Sequence, residues 1–188
     1  MKIRHVLAVA LTAAFLGVTL LPAQIAPPRT RVSPHETISS RIDGNRVTIV
    51  YGRPYSKDPK SGNVRKIWGE LVPFDKVWRL GADEATLLVT QEPLDLGGTA
   101  LPAGAYTLYL LPAADGSAKL LVNKQIGQWG ADIYNEKTEF ARVDLKKDTL
   151  DPALDQFAMS IEKNGNTGGV IKLGWEKTQY SVTFAVKK

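Results

Sequence analysis

The stretch that decides the fold alternates large apolar side chains with small or polar ones. It reads Tyr180-Ser181-Val182-Thr183-Phe184-Ala185-Val186. Successive side chains of a β-strand point to opposite faces of the sheet, so this pattern buries one face and exposes the other to water. The stretch is therefore predicted to be a strand that covers a hydrophobic core on one side.

The same period of two recurs along the rest of the chain. Turn pairs such as Asp43-Gly44 and Asp115-Gly116 separate the periodic segments, and Asp-Gly pairs tolerate the positive φ angles of tight hairpins. No amphipathic helix longer than two turns stands out. The predicted strands cover residues 37–42, 46–51, 85–91, 105–111, 118–123, 157–162, 170–175 and 180–186.

Strands with one apolar face need a second layer to cover that face. We therefore expect an all-β fold, an antiparallel β-sandwich of the Greek-key or jelly-roll type with about eight strands. Tyr106 follows a Pro/Gly turn and is predicted to form a tyrosine corner, with its hydroxyl bonded to upstream backbone. The predicted core includes Ile49, Phe157, Met159, Leu173, Trp175, Val182 and Phe184.

Two long stretches, residues 52–84 and 124–142, do not follow the strand pattern. Loops of this length in a compact domain are usually either functional or disordered. Both stretches are rich in aromatic residues, which argues against disorder. The sequence therefore predicts two ordered long loops, and they are the natural places to look for a site.

The N-terminus has the pattern of a secretory signal peptide. Residues 1–23 combine a basic start, an apolar run and a final small residue, Ala23, and the run is short for a membrane-spanning helix. The alternative is an anchor that is never removed. Residues 24–36 are Pro-rich and predict a flexible arm, and residues 37–188 a single domain. We expect an exported protein, periplasmic or extracellular, without a membrane span once the signal is removed.

Composition excludes several kinds of chemistry. The chain has no cysteine and two histidines, His5 in the signal and His35 in the arm, so the sequence predicts no disulfide, metal centre, cofactor or Ser-His-Asp triad. The formal net charge of +5 is spread along the chain. No nucleic-acid module is recognisable, so nucleic acid is not an expected partner.

The densest polar and aromatic segment is residues 78–86, in the first long loop. One interpretation is structural, with Arg53 or Arg79 pairing with Asp83 or Glu84 to hold the loop on the sandwich. A second is a binding surface. A third is glycoside hydrolysis, which needs two carboxyls about 5–9.5 Å apart, and the second loop offers partners for that role. Those partners are Asp132, Glu136 and Glu139. The candidate binding residues are Arg53, Trp68, Trp78, Arg79, Asp83, Glu84, Trp129 and Tyr134.

These segments carry a family resemblance. The motifs are Tyr51-Gly52-Arg53-Pro54, Ile67-Trp68-Gly69 with Leu71-Val72-Pro73, Trp78-Arg79 with Gly81-Ala82-Asp83-Glu84-Ala85-Thr86, Pro102-Ala103-Gly104 with Tyr106, and Asn123. Over residues 33–186 the chain resembles the bacterial family catalogued as domain of unknown function 2911 (DUF2911). The resemblance implies export from bacteria and a β-rich domain, and it implies no activity.

The sequence thus predicts an exported binding or structural module of the cell envelope. Its expected partner is an envelope ligand of unknown identity, a glycan or a protein. The alternative is a hydrolase that acts on envelope glycans through the loop carboxylates. No residue is assigned a catalytic role at this stage.

Overall fold

Two antiparallel sheets enclose one hydrophobic core in the computed structural model, which describes residues 30–131 and 134–188. The predicted signal peptide, residues 24–29 of the predicted arm and Asp132 lie outside the described residues. Residues Arg31–Lys188 form one compact unit. The predicted all-β sandwich is confirmed.

The strands divide six and four between the sheets. The orders are β1-β2-β3-β6-β7-β8 and β5-β4-β10-β9, with every pairing antiparallel. A 3-10 turn, Glu136–Thr138, precedes β8. The strands are β1 (His35–Ile42), β2 (Asn45–Gly52), β3 (Thr86–Thr90), β4 (Leu94–Leu96), β5 (Thr99–Leu101), β6 (Gly104–Pro112), β7 (Ala118–Asn123), β8 (Glu139–Asp144), β9 (Lys146–Asn164) and β10 (Gly168–Val186).

The core lies where the period-two pattern predicts it. All seven predicted core residues are buried, and they belong to one cluster to which both sheets contribute residues. Tyr106 forms the predicted tyrosine corner, since its buried ring places Oη 2.9 Å from the carbonyl oxygen of Pro102. Because these side chains were identified from alternation alone, the pattern locates the core of this fold.

The structure has ten strands instead of about eight. The additions are the short hairpin of β4 and β5, which turns at Gly97-Gly98, and the edge strand β8. These three added strands contain few alternating residues, so the period-two pattern did not reveal them. β8 also shortens the second predicted loop, because residues 139–142 belong to the sheet and not to a loop.

Two predicted strands, 170–175 and 180–186, are halves of the single strand β10. Odd-numbered residues are buried up to Trp175 and even-numbered residues from Tyr180 onward, so the strand must change parity between them. It does so at register shifts around Glu176, whose φ is 53°. A bulge of this kind adds a residue to one strand and keeps the apolar face directed at the core.

The first long loop, residues 53–85, folds onto the sandwich. Its Ile67, Val72 and Leu80 are fully buried and belong to the main core cluster. Trp78 exchanges two backbone hydrogen bonds of 2.8 Å with Leu110 of β6. The predicted order of this loop is therefore explained by its own apolar residues, which close one end of the core.

Candidate functional site

The segment 79–86 is pressed against the end of β2. A Cβ on Gly52 would lie 2.2 Å from the carbonyl oxygen of Ala82, so no larger residue fits there. Thr86 holds the other end, because its Oγ1 donates a 2.6 Å hydrogen bond to the carbonyl oxygen of Leu80. Leu80 and Asp83 have φ values of 56° and 63°, a region that costs an ordinary residue about 1–2 kcal/mol. The fold thus maintains local strain at this segment, which is common at functional sites.

Asp83 and Glu84 are paired, but not with the predicted arginines. His35 Nε2 lies 3.0 Å from Asp83 Oδ2 and 3.5 Å from Glu84 Oε2. Arg31 Nε donates to both carboxylate oxygens of Glu84, at 2.9 and 3.1 Å. Burial opposes ionisation of Glu84, but the hydrogen bonds and charge of Arg31 outweigh it, and the pKa of this carboxyl is lowered.

The start of β1 explains these partners. His35 was assigned to a flexible arm, but β1 begins at His35, which pairs in register with Gly52 of β2. The amide of Arg53 also donates a 2.7 Å hydrogen bond to the carbonyl oxygen of Pro34. The described end of the arm is therefore fixed beside segment 79–86, where Arg31 and His35 contact the two acids.

Arg53 has a different function from the predicted one. Its Nη1 lies 3.2 Å from the Glu36 carboxylate, and its Nε donates a 3.2 Å hydrogen bond to the carbonyl oxygen of Phe157. Arg53 therefore links β1 to β9 instead of holding Asp83 or Glu84. The predicted pairing of Arg53 with these acids was wrong.

The tryptophans of the first loop anchor it on the core. Trp78 is buried, stacks on Trp175 with ring centroids 5.9 Å apart, and meets Phe157 edge-on at 5.2 Å. Trp68 is half-buried and meets Trp78 edge-on at 6.4 Å. Such contacts add about 0.5–1.5 kcal/mol each beyond the buried area, so these rings fix the loop on the core.

Arg79 lines a cleft at this end of the sandwich. The cleft has a volume of about 300 Å³. The Nε atom of Arg79 is buried, and its guanidinium forms no hydrogen bond or ion pair with any residue in the described ranges. The predicted pairing of Arg79 with Asp83 or Glu84 is therefore also wrong. We call this space the Arg79 cleft, and its principal walls are Tyr55, Arg65, Trp78, Arg79, Asp83 and Trp175.

The second long loop contacts segment 79–86 through its backbone. The amide of Ala85 donates to the carbonyl oxygen of Gln128 at 3.0 Å, and Trp129 forms an isolated antiparallel bridge with Glu84. Tyr134 lies apart from the cleft, against Tyr109, with ring centroids 4.8 Å apart. Trp129 and Tyr134 thus do not line the Arg79 cleft.

The remaining loop acids are bound to a cation. Arg142 lies 2.6 Å from Glu139 and 3.4 Å from Glu136, and the hydroxyl of Tyr134 also donates to Glu139. Burial and that hydrogen bond raise the pKa of Tyr134. Burial opposes ionisation of Glu139, but the hydrogen bonds of Arg142 and Tyr134 outweigh it and lower the pKa of this acid.

Sequence reasoning missed several residues of this region. Arg31 and His35 were hidden in the predicted arm, and Trp175 was assigned only to the core. Tyr55 and Arg65 lie in a polar part of the first loop whose path cannot be derived from periodicity. The motif Tyr51-Gly52-Arg53-Pro54 was the available signal, because a glycine at a strand end allows a close backbone approach.

Residues 30–131 and 134–188 contain neither a candidate metal cluster nor a helix that could span a membrane. Among those residues no group of three or more His, Asp or Glu side chains is arranged to hold a metal ion. No helix within the same ranges is long and apolar enough to cross a membrane.

Comparison with known proteins places the chain in a family. No curated protein and no solved structure gives a significant match. One family matches over residues 33–184, and its description is "Protein of unknown function (DUF2911)". That range contains the whole sandwich from β1 to β10 except for the last two residues of β10, Ala185 and Val186. The chain therefore belongs to the DUF2911 family.

Proposed function

We propose that this protein is an exported binding module of the bacterial cell envelope and that its ligand occupies the Arg79 cleft. The observation that carries the proposal is Arg79, which lines the cleft and whose guanidinium has no partner among residues 30–131 and 134–188. Buried donors are normally satisfied, so an exception at a concave surface points to a group that arrives from outside.

The surroundings of Arg79 support binding. The indole rings of Trp78 and Trp175 are fixed by mutual stacking, and the backbone around Leu80 and Asp83 is strained. Rigid aromatic walls lose little conformational entropy when a ligand binds, which favours affinity. The signal-like N-terminus supports an envelope location, periplasmic or extracellular.

Hydrolysis through the loop carboxylates is less well supported. A glycosidase needs one carboxyl that stays protonated near neutral pH as the general acid. Glu84 and Glu139 instead have lowered pKa values and arginine partners. Asp83 lies 3.0 Å from His35, so Asp83, Glu84 and Glu139 all have protein partners.

A thermal-shift screen of the exported protein against envelope glycans, muropeptides and small metabolites tests the proposal. A ligand at 100 times its Kd stabilises the folded state by about 2.7 kcal/mol. Tyr55 is 43% exposed and lines the cleft, so Tyr55→Ser should remove the shift. Ile126 is 54% exposed and lies outside the cleft, so Ile126→Ser is the matched control and should retain it. Equal shifts in both variants would place the ligand elsewhere.

The same preparation distinguishes the hydrolase. Glycans are incubated with the protein and the products are separated by mass. Turnover that a Glu84→Gln change abolishes would replace binding by hydrolysis as the function. Saturable binding without turnover supports the binding module.

A further inference from the structure

We infer that the Arg79 cleft recognises a small organic anion, a carboxylate or a phosphate ester, that carries an apolar or ring-shaped body. The inference rests on the proposed binding function and specifies the ligand class. Arg79 differs from the neighbouring arginines. Each of those has an acidic partner: Arg31 has Glu84, Arg53 has Glu36 and Arg65 has Asp58. Arg79 has no partner within the described residues, although its Nε is fully buried.

The one carboxylate among the residues that line the cleft already has a partner. Asp83 lines the same cleft as Arg79, but its side chain is only 11% exposed and lies 3.0 Å from His35. A guanidinium with a buried nitrogen is stabilised by an anion more than by a neutral group. Since Asp83 is paired with His35, we expect the ligand to supply the anion that binds Arg79.

A second arginine belongs to the same cleft. Arg65 lines it as well, and its guanidinium is anchored by hydrogen bonds to the carbonyl oxygens of Tyr55 and Ser56, at 2.5 and 3.4 Å. The carbonyl oxygens orient Arg65 and the Asp58 carboxylate, 3.9 Å away, balances its charge, so Arg79 is the arginine of the cleft without an acidic partner among the described residues. The charged side chains that line the cleft are thus two arginines and one aspartate.

The other walls define the body of the ligand. Pro54, Leu71 and the rings of Trp78 and Trp175 give the cleft an apolar side. Its volume of about 300 Å³ is at the lower end of the range for small-molecule sites, about 300–1,000 Å³. A ligand that matches both sides has an anionic head at Arg79 and a compact apolar or ring-shaped body. The planar fork of Arg suits carboxylate and phosphate equally, so the head is one of these two.

The experiment uses benzoate, phenyl phosphate and uncharged benzamide as probes of the exported protein, measured by calorimetry and thermal shift. We expect benzoate or phenyl phosphate to bind and benzamide to bind at least about tenfold more weakly. The better anion identifies the head group. Arg79→Met should weaken that anion at least about tenfold, and Arg79→Lys should recover part of the loss because it keeps the charge without the fork.

A measurement without ligand adds an independent readout. Because the charge of Arg79 has no partner in the part of the chain that the structure describes, Arg79→Met should leave the Tm of the free protein unchanged or raise it. Arg142→Met is the matched control, since Arg142 lies outside the cleft and holds Glu139; it should lower the Tm and leave anion binding unchanged.

The outcomes separate the inference from the proposed function. Anion binding that Arg79→Met does not change, a lower Tm for Arg79→Met, or no binding of either anion at millimolar concentration overturns the anion inference. Binding of benzamide or of a neutral glycan that Tyr55→Ser removes would still support the binding module. If no probe, glycan or metabolite binds in a way that depends on Tyr55, the proposed function fails as well.

Discussion

At the scale of single residues, tyrosine hydroxyls connect backbone segments that are distant in sequence. Tyr51 is buried in β2, and its Oη donates to Glu36 at 2.7 Å and accepts from the amide of Met159 at 2.9 Å. Tyr180 of β10 donates in a similar way to the carbonyl oxygen of Gly116, at 3.0 Å. These hydroxyls connect the two sheets at points where the strands do not pair.

Tyr51→Phe should lower the free energy of unfolding by about 1–3 kcal/mol, because it leaves the buried amide of Met159 without an acceptor. Tyr55→Phe is the control, because Tyr55 is exposed and its hydroxyl forms no hydrogen bond among the described residues. That change should cost less than about 0.5 kcal/mol. Urea unfolding measures both. Equal effects would show that the hydroxyl of Tyr51 does not support the Met159 amide.

The pH dependence of the Tyr51 effect has a definite sign. Burial, with the hydrogen bond to Glu36, raises the pKa of Tyr51 from 10.0 to about 12. A raised folded-state pKa gives stability that is complete below pH 10 and is lost as pH rises toward 12. The stability difference between wild type and Tyr51→Phe should therefore shrink over that window. A difference that grows above pH 10 would contradict the assignment.

Neighbouring residues of β10 should differ sharply in their effect on stability. Leu173 is 1% exposed in the core, so Leu173→Ala should cost about 2–5 kcal/mol. The Lys172 side chain is 32% exposed and pairs with Glu162 near the surface, so Lys172→Ala should cost about 0–1 kcal/mol. Urea unfolding distinguishes the two, and similar costs would mean that β10 does not bury this face.

Glu176 marks the point where β10 changes parity, and this bulge is the main irregularity of the sheet at the scale of elements. The segment from Glu176 to Gln179 contains no Gly, Pro or Asn, so it has no residue typical of a turn. The chain therefore continues as a strand and accommodates the odd spacing by a bulge. Burial raises the pKa of Glu176, whose carboxylate has no cationic partner among the described residues.

Two glutamates of the β9–β10 ribbon should respond oppositely to neutralisation. Because the pKa of Glu176 is raised, this residue contributes to stability only when it is protonated, and the contribution is lost as the pH rises above its ordinary pKa. Glu176→Gln imitates the protonated form and should therefore raise the Tm at pH 7. Hydrogen bonds from Lys172 and Ser160 lower the pKa of Glu162, whose contribution exists above its ordinary pKa. Glu162→Gln should therefore lower the Tm at pH 7.

Thermal unfolding at neutral and acidic pH measures both changes. Both Tm differences should disappear at low pH, where wild-type Glu176 and Glu162 are protonated. Shifts of the same sign at pH 7 would mean that the bulge does not bury the Glu176 carboxyl.

For the whole molecule, alternation predicted the sandwich and its core because burial is periodic in a strand. It did not reveal β8 or most of β9, where residues 146–156 are mostly exposed and include Pro152. Edge strands with one partner can keep polar residues on both faces, so their sequences lack the core signal. The strand count therefore came out too low because β8 and the short strands β4 and β5 were missed, and the core prediction was unaffected.

The candidate site was predictable only in part. The concentration of Trp, Arg and acidic residues in residues 52–84 identified the correct loop, but not the pairs within it. Pairing depends on which cation the tertiary fold brings closest, and here the start of β1 places His35 and Arg31 beside the acids. These pairs depend on how β1 aligns with β2 in the folded protein, and a single sequence does not give that alignment.

The location of the molecule depends on residues 1–23, whose role is a proposal from sequence. Export should remove them near Ala23, so the envelope fraction should contain a chain that starts at or near Gln24. N-terminal sequencing and intact mass of the exported protein measure this. Phe15→Arg places a charge inside the apolar run, and it should block export and leave a precursor that starts at Met1, because signal recognition requires that run. Thr12→Ala keeps the run apolar and should be processed normally. An envelope protein that keeps Met1 and extracts only with detergent would instead establish an uncleaved anchor, and the sandwich would then act while tethered to the membrane.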